Sequence, residues 1–377
     1  MNYRIGVIGC GRRMSSLVDK LLEDHKDFSI AAIADPRVED MKKQFEGQEI
    51  AFYADARDML NNEKLDGVMI GTRCSLHTPM ALLVKETGLP LFLEKPVATS
   101  YEQLDALKAM LPMSDQVVVS FPLRACTIAV RVKEIVDSGV LGKVQHVEAV
   151  NNVYYGRGYY HKWYRDDHET GGLFLQKATH DFDYINFILG NEQPVRICAM
   201  HSKQIFKGDM PQGQKCEDCP RQEECPESVK NVMSYNEPNP GDFCCFAKDT
   251  GNEDSGSAIV RYASGMHVVY TQDFVVRKGA GKRGARFIGY KGTLEFDFKS
   301  GVINVYRHNE NKCDQEQTPG REGHHGGDFA LLQNFADVVR GKDVSHATLA
   351  QGILSAEMCL AARRSAENDE FVDIRPV

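Results

Sequence analysis

The sequence lacks any apolar stretch of about 20 residues, which is the length that a helix needs to cross a bilayer. It also lacks a basic excess, because 45 Lys and Arg residues stand against 53 Asp and Glu residues and the net charge is −8. Phosphate-backbone binding needs a concentrated basic face, so we exclude nucleic acid as a partner. The first residues, MNYRIGVIGCG, lead directly into a strand pattern. We therefore expect no secretory leader, no membrane association and a cytoplasmic location.

A disulfide framework is also missing, because the eleven cysteines are odd in number and mostly isolated. This usage is typical of reduced thiols. One group differs, since Cys216, Cys219 and Cys225 share an irregular stretch that also holds Cys244 and Cys245. A C-x₂-C pair with further thiols suits a structural zinc site, with Cys216, Cys219 and Cys225 as ligands. Zinc needs a fourth ligand that the spacing does not fix, so free thiols or a disulfide are the alternatives.

With 377 residues, of which 42% are hydrophobic and 26% charged, the chain is long enough for two domains. In its first third, short apolar strands alternate with helical segments, which is typical of βαβ units and a parallel sheet covered on both faces. We predict strands at Tyr3–Gly9, Phe28–Asp35, Asp66–Thr72, Leu89–Pro96 and Gln116–Pro122, and helices at Ser15–Glu23 and Pro79–Thr87.

A glycine-rich turn follows the first strand. Gly9 and Gly11 form a G-x-G pattern that would let a pyrophosphate approach a helix N-terminus, whereas Met14 stands at the third glycine position and predicts looser helix–strand packing. Asp35 ends the next strand, where an acid can hold ribose hydroxyls. These features predict NAD binding, although Arg37 leaves NADP open and a glycine turn with a capping Asp is the structural alternative. The predicted cofactor-binding residues are Gly9, Gly11, Arg12, Arg13, Met14, Asp35, Arg37, Thr72, His77, Glu94 and Lys95.

After Pro122 the pattern changes to a helix near Arg124–Ser138 and longer strands rich in β-branched and aromatic residues with polar alternation. Such strands predict a sheet with one exposed face. We therefore predict an α/β protein: a Rossmann dinucleotide-binding domain with a parallel sheet at residues 1–122, and an α+β domain with an open mixed or antiparallel sheet at residues 123–377.

The segment GTRCSLHTPMALLVKETGLPLFLEKPVATS, residues 71–100, resembles the Gfo/Idh/MocA family of glucose–fructose oxidoreductases and inositol dehydrogenases. Thr72, His77 and the triplet Glu94-Lys95-Pro96 match that family, while Arg73 and Cys74 replace its usual Pro-Asn. The N-terminal G-x-G and SGVLGKVQHVEA, residues 138–149, fit as well, so the resemblance covers essentially the whole chain.

The resemblance implies an NAD(P)-dependent oxidoreductase that moves a hydride between nicotinamide and a sugar, cyclitol or related polyol. It also implies a homodimer or homotetramer formed through the free sheet face. Two alternatives stay open, because the family includes NAD-dependent glycosidases and catalytically silent sensors of sugar and NAD.

The segment GLFLQKATHDFDYINFILG, residues 172–190, falls where the family places its catalytic helix. His180 matches the family histidine, but Gln176 stands where the usual D-x-x-x-H pattern has its acid. A regular helix would put Lys177, His180 and Asp181 on one face. We expect His180 to exchange the substrate hydroxyl proton, and Lys177 to bind a substrate hydroxyl or lower the His180 pKa. Asp181 and Asp183 would orient their neighbours, or merely favour a helix start.

Lys95 is predicted to be catalytic from position alone, since it follows a parallel strand at the crevice where ligands bind. There it would hydrogen-bond a substrate hydroxyl and stabilise developing charge. Two further stretches supply substrate-binding candidates. The aromatic loop YYGRGYYHKWYRDDHETGG, residues 154–172, contains Tyr159 and His161. The stretch REGHHGGDFALLQNF, residues 321–335, resembles the H-x-G-G-D helix start of the family and contains His325, and Asp328 would cap its helix. A subunit-contact loop and a surface histidine are the alternatives. The predicted catalytic residues are Lys95, His180 and Lys177, and the predicted substrate-binding residues are Lys95, Trp163, Arg165, Gln176, Lys177, His180 and His325.

Overall fold

Six short strands form the N-terminal sheet of the computed structural model, which describes residues 2–319 and 322–377. All its pairings are parallel, in the order β3-β2-β1-β4-β5-β6. The elements are β1 Tyr3–Ile8, α1 Arg12–Asp24, β2 Phe28–Ala34, α2 Val38–Gln44, β3 Ala51–Tyr53, α3 Ala56–Asn62, β4 Gly67–Ile70, α4 His77–Lys85, β5 Leu91–Leu93, α5 Tyr101–Leu107 and β6 Val117–Val119, with 3₁₀ segments at Cys74–Leu76 and Lys108–Gln116.

The strand order reverses beside β1, so that β2 lies on one side of it and β4 on the other. Ligands of open parallel sheets bind at such a switch point, outside the carboxyl ends of the strands. The strands β4, β5 and β6 are buried at every position, as expected for a sheet covered on both faces. The predicted Rossmann architecture is confirmed, and α1 begins at Arg12, earlier than the predicted Ser15.

A nine-stranded mixed sheet forms in the second half, in the order β14-β13-β12-β11-β7-β10-β9-β8-β15. Within this sheet, among the described residues, only β7 and β10 pair in parallel. Its strands are β7 Val144–Asn152, β8 Pro194–Ser202, β9 Ser255–Tyr262, β10 His267–Asp273, β11 Lys282–Gly289, β12 Gly292–Asp297, β13 Val302–Arg307, β14 Lys312–Gln317 and β15 Val372–Asp373. Its helices are α6 Pro122–Ala125, α7 Thr127–Asp137, α8 Gly158–His161, α9 Asp167–Thr170, α10 Thr179–Leu189, α11 Val229–Ser234, α12 Glu322–His325, α13 Gly327–Val339 and α14 Leu349–Asn368.

Helices α10 and α14 cover one face of the mixed sheet, and α14 also contacts β6 of the parallel sheet. The opposite face is open, because β9 and β10 alternate buried and exposed positions along their length. The predicted exposed face is thus confirmed, while the division at residue 122 stays a prediction. Within the described residues, no helix is both long and apolar enough to cross a membrane.

The polar segment before α10 is not the regular helix that the sequence predicts. Residues Phe174–Ala178 form a π-helical turn, and the α-helical geometry starts at Thr179. A π turn adds a residue to the local repeat and changes where each side chain points. The periodicity argument for Lys177, His180 and Asp181 on one face therefore fails at this turn.

Candidate active site

The glycine turn after β1 is built for a close approach by another group. Gly9 has φ of +75°, and a Cβ there would lie 2.8 Å from Thr72 Cα, so glycine is required. Gly11 caps α1 without a side-chain bond, and a Cβ there would meet nothing within 4 Å. The helix N-terminus thus faces open space, which suits the pyrophosphate of a dinucleotide.

Met14 is fully buried and packs tightly against the chain after β4. A Cβ on Gly71 would lie 2.7 Å from Met14 Cβ and 2.8 Å from its Cε. The predicted looser packing is wrong, because Gly71 provides the space that a third glycine in the motif would otherwise give.

Asp35 lies at the carboxyl end of β2, beside the glycine turn. It accepts hydrogen bonds from the Cys10 backbone N–H at 3.1 Å and from Arg37 Nε and Nη2 at 3.0 and 2.9 Å. Burial alone would raise its pKa, but Arg37 outweighs burial and lowers it. The carboxylate is therefore charged at the adenosine end of the crevice, with an exposed guanidinium beside it.

Arg13 connects α1 to the second half of the chain, whereas Arg12 is exposed. The Arg13 guanidinium donates to both carboxylate oxygens of Asp328 and to Glu94 Oε1 at 3.1 Å. Gly326, with φ of +90°, caps α13, so the predicted capping role of Asp328 is wrong. Asp328 instead pairs with Arg13 and His324, and burial is outweighed by these partners, which hold its pKa well below the usual value.

Thr72 and His77 hold the loop after β4 against the loop after β5. The His77 ring lies 2.7 Å from the Pro96 carbonyl through Nδ1 and 3.2 Å from the Thr72 carbonyl through Nε2. His77 is buried, and burial lowers its pKa. Both ring nitrogens of His77 contact backbone carbonyls. His77 therefore holds in place the cofactor loop, which is the segment of residues 71–76 after β4.

Lys95 follows β5 and reaches the π turn. Its Nζ donates to the Gln176 backbone oxygen at 3.0 Å and to Gln176 Oε1 at 2.8 Å. Burial and the charge of Lys177 lower the pKa of Lys95 to about 8. The ammonium therefore loses its proton more easily than an ordinary lysine.

His180 lies in the first turn of α10. Its ring meets the Phe121 ring edge-on, with 6.3 Å between the ring centroids, and the charge of Lys95 acts on it. Its Nδ1 is buried, and no residue in the described part of the chain bonds it. Burial and the charges of Lys95 and Arg283 hold its pKa well below the usual value, so the ring is neutral at pH 7. A neutral imidazole can accept a proton.

The second imidazole near His180 belongs to His324, whose ring centroid lies 6.4 Å away. His325, the predicted residue, lies instead beside Phe298 at 6.0 Å. The H-x-G-G-D pattern contains both histidines, and its first letter is His324. Arg321, which opens the predicted stretch, lies outside the described residues.

Lys177 lies in the π turn and contacts two tyrosines. Its Nζ donates to the Tyr155 hydroxyl at 3.0 Å and lies 4.7 Å from the ring centroids of Tyr155 and Tyr159. The structure thus brings Lys177 together with Tyr159, a predicted substrate-loop residue. It also adds Tyr155, which was not among the predicted residues.

The two acids of the helix form buried ion pairs with distant arginines. Asp181 accepts from Arg283 Nε and Nη2 at 2.8 and 3.0 Å, and also from Asn151 and Tyr270. Asp183 accepts from Arg124, and burial raises the pKa of Asp183 to about 6. These ion pairs fix α10 in place. This arrangement corresponds to the predicted alternative in which Asp181 and Asp183 orient their neighbours.

The aromatic loop before the π turn divides into two parts. Trp163 lies under the Arg73 guanidinium at 4.1 Å, beside the cofactor loop. Arg165 is buried and donates to Asp249 and Thr250, and the His161 ring bonds the Phe243 carbonyl. Arg165 and His161 therefore hold the cysteine-bearing stretch and are not brought to Lys95.

The zinc prediction for Cys216, Cys219 and Cys225 is not supported. Within the described part of the chain, no group of three or more His, Cys, Asp or Glu side chains is arranged to hold a metal ion. All eleven cysteines are free thiols. Burial raises the pKa of the Cys216 and Cys244 thiols.

The glycine turn, the E-K-P strand end and the histidine helix match one known family. Sequence models of an oxidoreductase family match residues 3–121, as its NAD-binding Rossmann fold, and residues 133–374, as its C-terminal alpha/beta domain. The chain belongs to the Gfo/Idh/MocA family. It is 27% identical to the Bacillus subtilis oxidoreductase YteT over 390 residues, covering 89% of both chains. It is also 26% identical to the myo-inositol 2-dehydrogenase of Thermotoga maritima over 200 residues, which is 50% of this chain and 55% of that protein.

Among solved structures, a levoglucosan dehydrogenase in complex with NADH shares the fold with a TM-score of 0.77, at 17% identity and with 100% of both chains covered. The family models describe this chain as an oxidoreductase with an NAD-binding domain. Its nicotinamide-binding domain is the N-terminal Rossmann domain.

Proposed function

We propose that this oxidoreductase is an NAD-dependent dehydrogenase of a sugar, cyclitol or related polyol. The observation that carries the proposal is the contact of Lys95 with the π turn, because it brings the E-K-P lysine and the His180 helix to one cleft. The names of two relatives, a myo-inositol dehydrogenase and a levoglucosan dehydrogenase, support a substrate of this class.

The residues around the crevice fit a dinucleotide. The open N-terminus of α1 at Gly11 would receive the pyrophosphate, and Asp35 would accept hydrogen bonds from ribose hydroxyls. Because Asp35 is ionised, a 2′-phosphate would meet a like charge, and we infer a preference for NAD. Arg37 moderates this preference by pairing with Asp35.

When bound, nicotinamide supplies the hydride acceptor for alcohol oxidation, or the donor for the reverse reaction. The chain supplies the proton transfer. Neutral His180 would accept the hydroxyl proton, and Lys95 in its charged form would donate to the same oxygen and stabilise the developing alkoxide. The ion pair between Asp181 and Arg283 would hold the helix that carries His180 in position.

We further propose that the open face of the mixed sheet binds a second copy, giving a homodimer or homotetramer, and that the enzyme acts in the cytoplasm. Alternating exposure on β9 and β10 supports an available face. Light scattering of the purified protein would test the oligomer.

A substrate panel with NAD tests the function. We expect NADH to accumulate with at least one free sugar or polyol, and Lys95→Met or His180→Asn to lower the rate about a hundredfold or more. Lys162→Met and His168→Asn, at exposed positions, serve as controls. Release of an aglycone from a nitrophenyl glycoside without net NADH would identify a glycosidase instead. Binding of sugar and NAD without either reaction would identify a sensor.

A further inference from the structure

Lys177 is a buried ammonium that has no carboxylate partner in the described part of the chain. It is 7% exposed, and its one hydrogen bond goes to the Tyr155 hydroxyl. The remaining contacts are the faces of Tyr155 and Tyr159. Burying a charge without an opposite charge is costly. A protein retains such an arrangement where a ligand supplies the missing charge.

The charge of Lys177 persists in this environment. Burial alone would lower the pKa of Lys177, but the two tyrosines outweigh burial and raise it. Arg283, whose positive charge acts on Lys177, is itself paired with Asp181. The positive charge of Lys177 is therefore not neutralised by the neighbouring ion pair.

The cleft side of this pair is reachable. Tyr155 is 49% exposed, and its hydroxyl oxygen accepts from Lys177. Burial alone would raise the pKa of Tyr155, but the charges of Lys177 and Arg283 outweigh burial and lower it, which makes the protonated hydroxyl a stronger hydrogen-bond donor. Lys177 Nζ and the Tyr155 hydroxyl thus present two donors 3.0 Å apart. Two adjacent donors match the two oxygens of one carboxylate.

We propose that Lys177 and Tyr155 form a subsite for a carboxylate on the substrate, so that the enzyme acts on a uronic acid or another sugar acid. The proposal rests on the proposed dehydrogenase function. A sugar hydroxyl would satisfy the hydrogen bonds but not the charge, and a phosphate would present more oxygens than these two donors can bond. Lys177 and Tyr155 would then set specificity, while Lys95 and His180 act at the reacting carbon.

Calorimetric titration of the protein saturated with NADH tests the subsite without turnover. The probes are matched pairs that differ at one carbon, D-glucose with D-glucuronate and D-galactose with D-galacturonate, and D-glucose 6-phosphate distinguishes phosphate from carboxylate. The variants are Lys177→Met, which removes the charge and keeps most of the apolar side chain, and Tyr155→Phe, which removes only the hydroxyl. Lys162→Met is the matched control, because Lys162 is an exposed lysine on the aromatic loop that precedes the π turn.

We expect at least one uronate to bind about tenfold or more tightly than its neutral partner and than the phosphate. Lys177→Met should remove this preference by lowering uronate affinity far more than neutral-sugar affinity, and Tyr155→Phe should reduce the preference. Equal affinity within every pair, tighter phosphate binding, absence of binding by any probe, or a preserved preference in Lys177→Met would overturn the subsite. Uronate binding without NADH formation from NAD would keep the subsite and refute the dehydrogenase function, whereas oxidation of neutral sugars alone would do the reverse.

Discussion

Lys95 donates to both oxygens that Gln176 offers, the backbone carbonyl at 3.0 Å and the side-chain amide at 2.8 Å. The family pattern has an acid at this position, and here a neutral amide takes its place. The amide holds the lysine toward the His180 helix without supplying a negative charge. The low pKa of Lys95, about 8, is consistent with this absence of a carboxylate partner.

Gln176→Asp should therefore shift the pH dependence of oxidation. A carboxylate beside Lys95 favours its charged form and should raise the Lys95 pKa by about one unit or more. Because charged Lys95 is the form that stabilises the alkoxide, activity should fall above about pH 8 in the wild type and at higher pH in the variant. The measurement is kcat/KM against pH.

Gln145→Asp is the control for this change, since Gln145 is exposed on β7. It should leave the profile in place. An unchanged alkaline limb in Gln176→Asp would show that Lys95 does not control it.

The Arg13–Asp328 pair should contribute to stability in a pH-dependent way. Asp328→Asn removes a buried carboxylate that holds Arg13 and His324, and we expect a loss of about 2–3 kcal/mol in the free energy of unfolding. The folded-state pKa of Asp328 is depressed, so its contribution is present above the unfolded pKa of about 3.9 and is lost as the pH falls. Urea unfolding at pH 7 and near pH 3 measures this, because the loss becomes large only below the unfolded pKa.

The difference in the free energy of unfolding between wild type and Asp328→Asn should thus be smaller at the lower pH. Asp373→Asn is the control, because the Arg196–Asp373 pair is exposed and screened by solvent, so that its loss should change the free energy of unfolding little. A constant difference across this range would argue against the depressed pKa.

The contact between Met14 and Gly71 predicts a coupled pair of substitutions. Gly71→Ala would place a Cβ 2.7 Å from Met14 Cβ and should destabilise the fold by about 1–3 kcal/mol. In the Met14→Ala background the same change should cost less, because the contacts with Met14 Cε and Cγ, at 2.8 and 3.0 Å, are gone and only the contact with Cβ remains. Thermal unfolding of the four proteins in this cycle measures the coupling. Gly279→Ala, at an open position, is the control, and simple additivity would contradict the contact.

Cofactor preference should follow Asp35. Asp35→Ser removes the repulsion of a 2′-phosphate and frees Arg37 to meet it, so the ratio of kcat/KM for NADP over NAD should rise about tenfold or more. Adding Arg37→Ala should reverse part of the gain. If the ratio stays unchanged in Asp35→Ser, the adenosine end does not bind beside Asp35.

Local patterns were sufficient for the N-terminal sheet and for the glycine turn, because G-x-G, Asp35 and E-K-P follow buried strands whose periodicity is visible in the sequence. The partners of these residues were not visible. Asp181 pairs with Arg283, which lies about a hundred residues along the chain on β11, and Arg13 pairs with Asp328 in the other half. Such pairs depend on tertiary packing, which no short pattern encodes.

The π turn is a second case, because the regular helical repeat predicts a single face for Lys177, His180 and Asp181. The extra residue in the turn separates them, so Lys177 contacts Tyr155 while Asp181 enters the core. The choice of His325 over His324 failed for a related reason. Both histidines have positive φ, and backbone geometry of this kind decides which of two neighbours faces His180.

The most direct test of the central claim follows the hydride itself. The protein is incubated with NAD and with a substrate from the panel that it oxidises, labelled with deuterium at the reacting carbinol carbon. The NADH is then analysed by mass spectrometry. The account predicts NADH that carries one deuterium and forms in equal amount to the oxidised product, with the signal lost in Lys95→Met and His180→Asn. Product formed without deuterated NADH would contradict it.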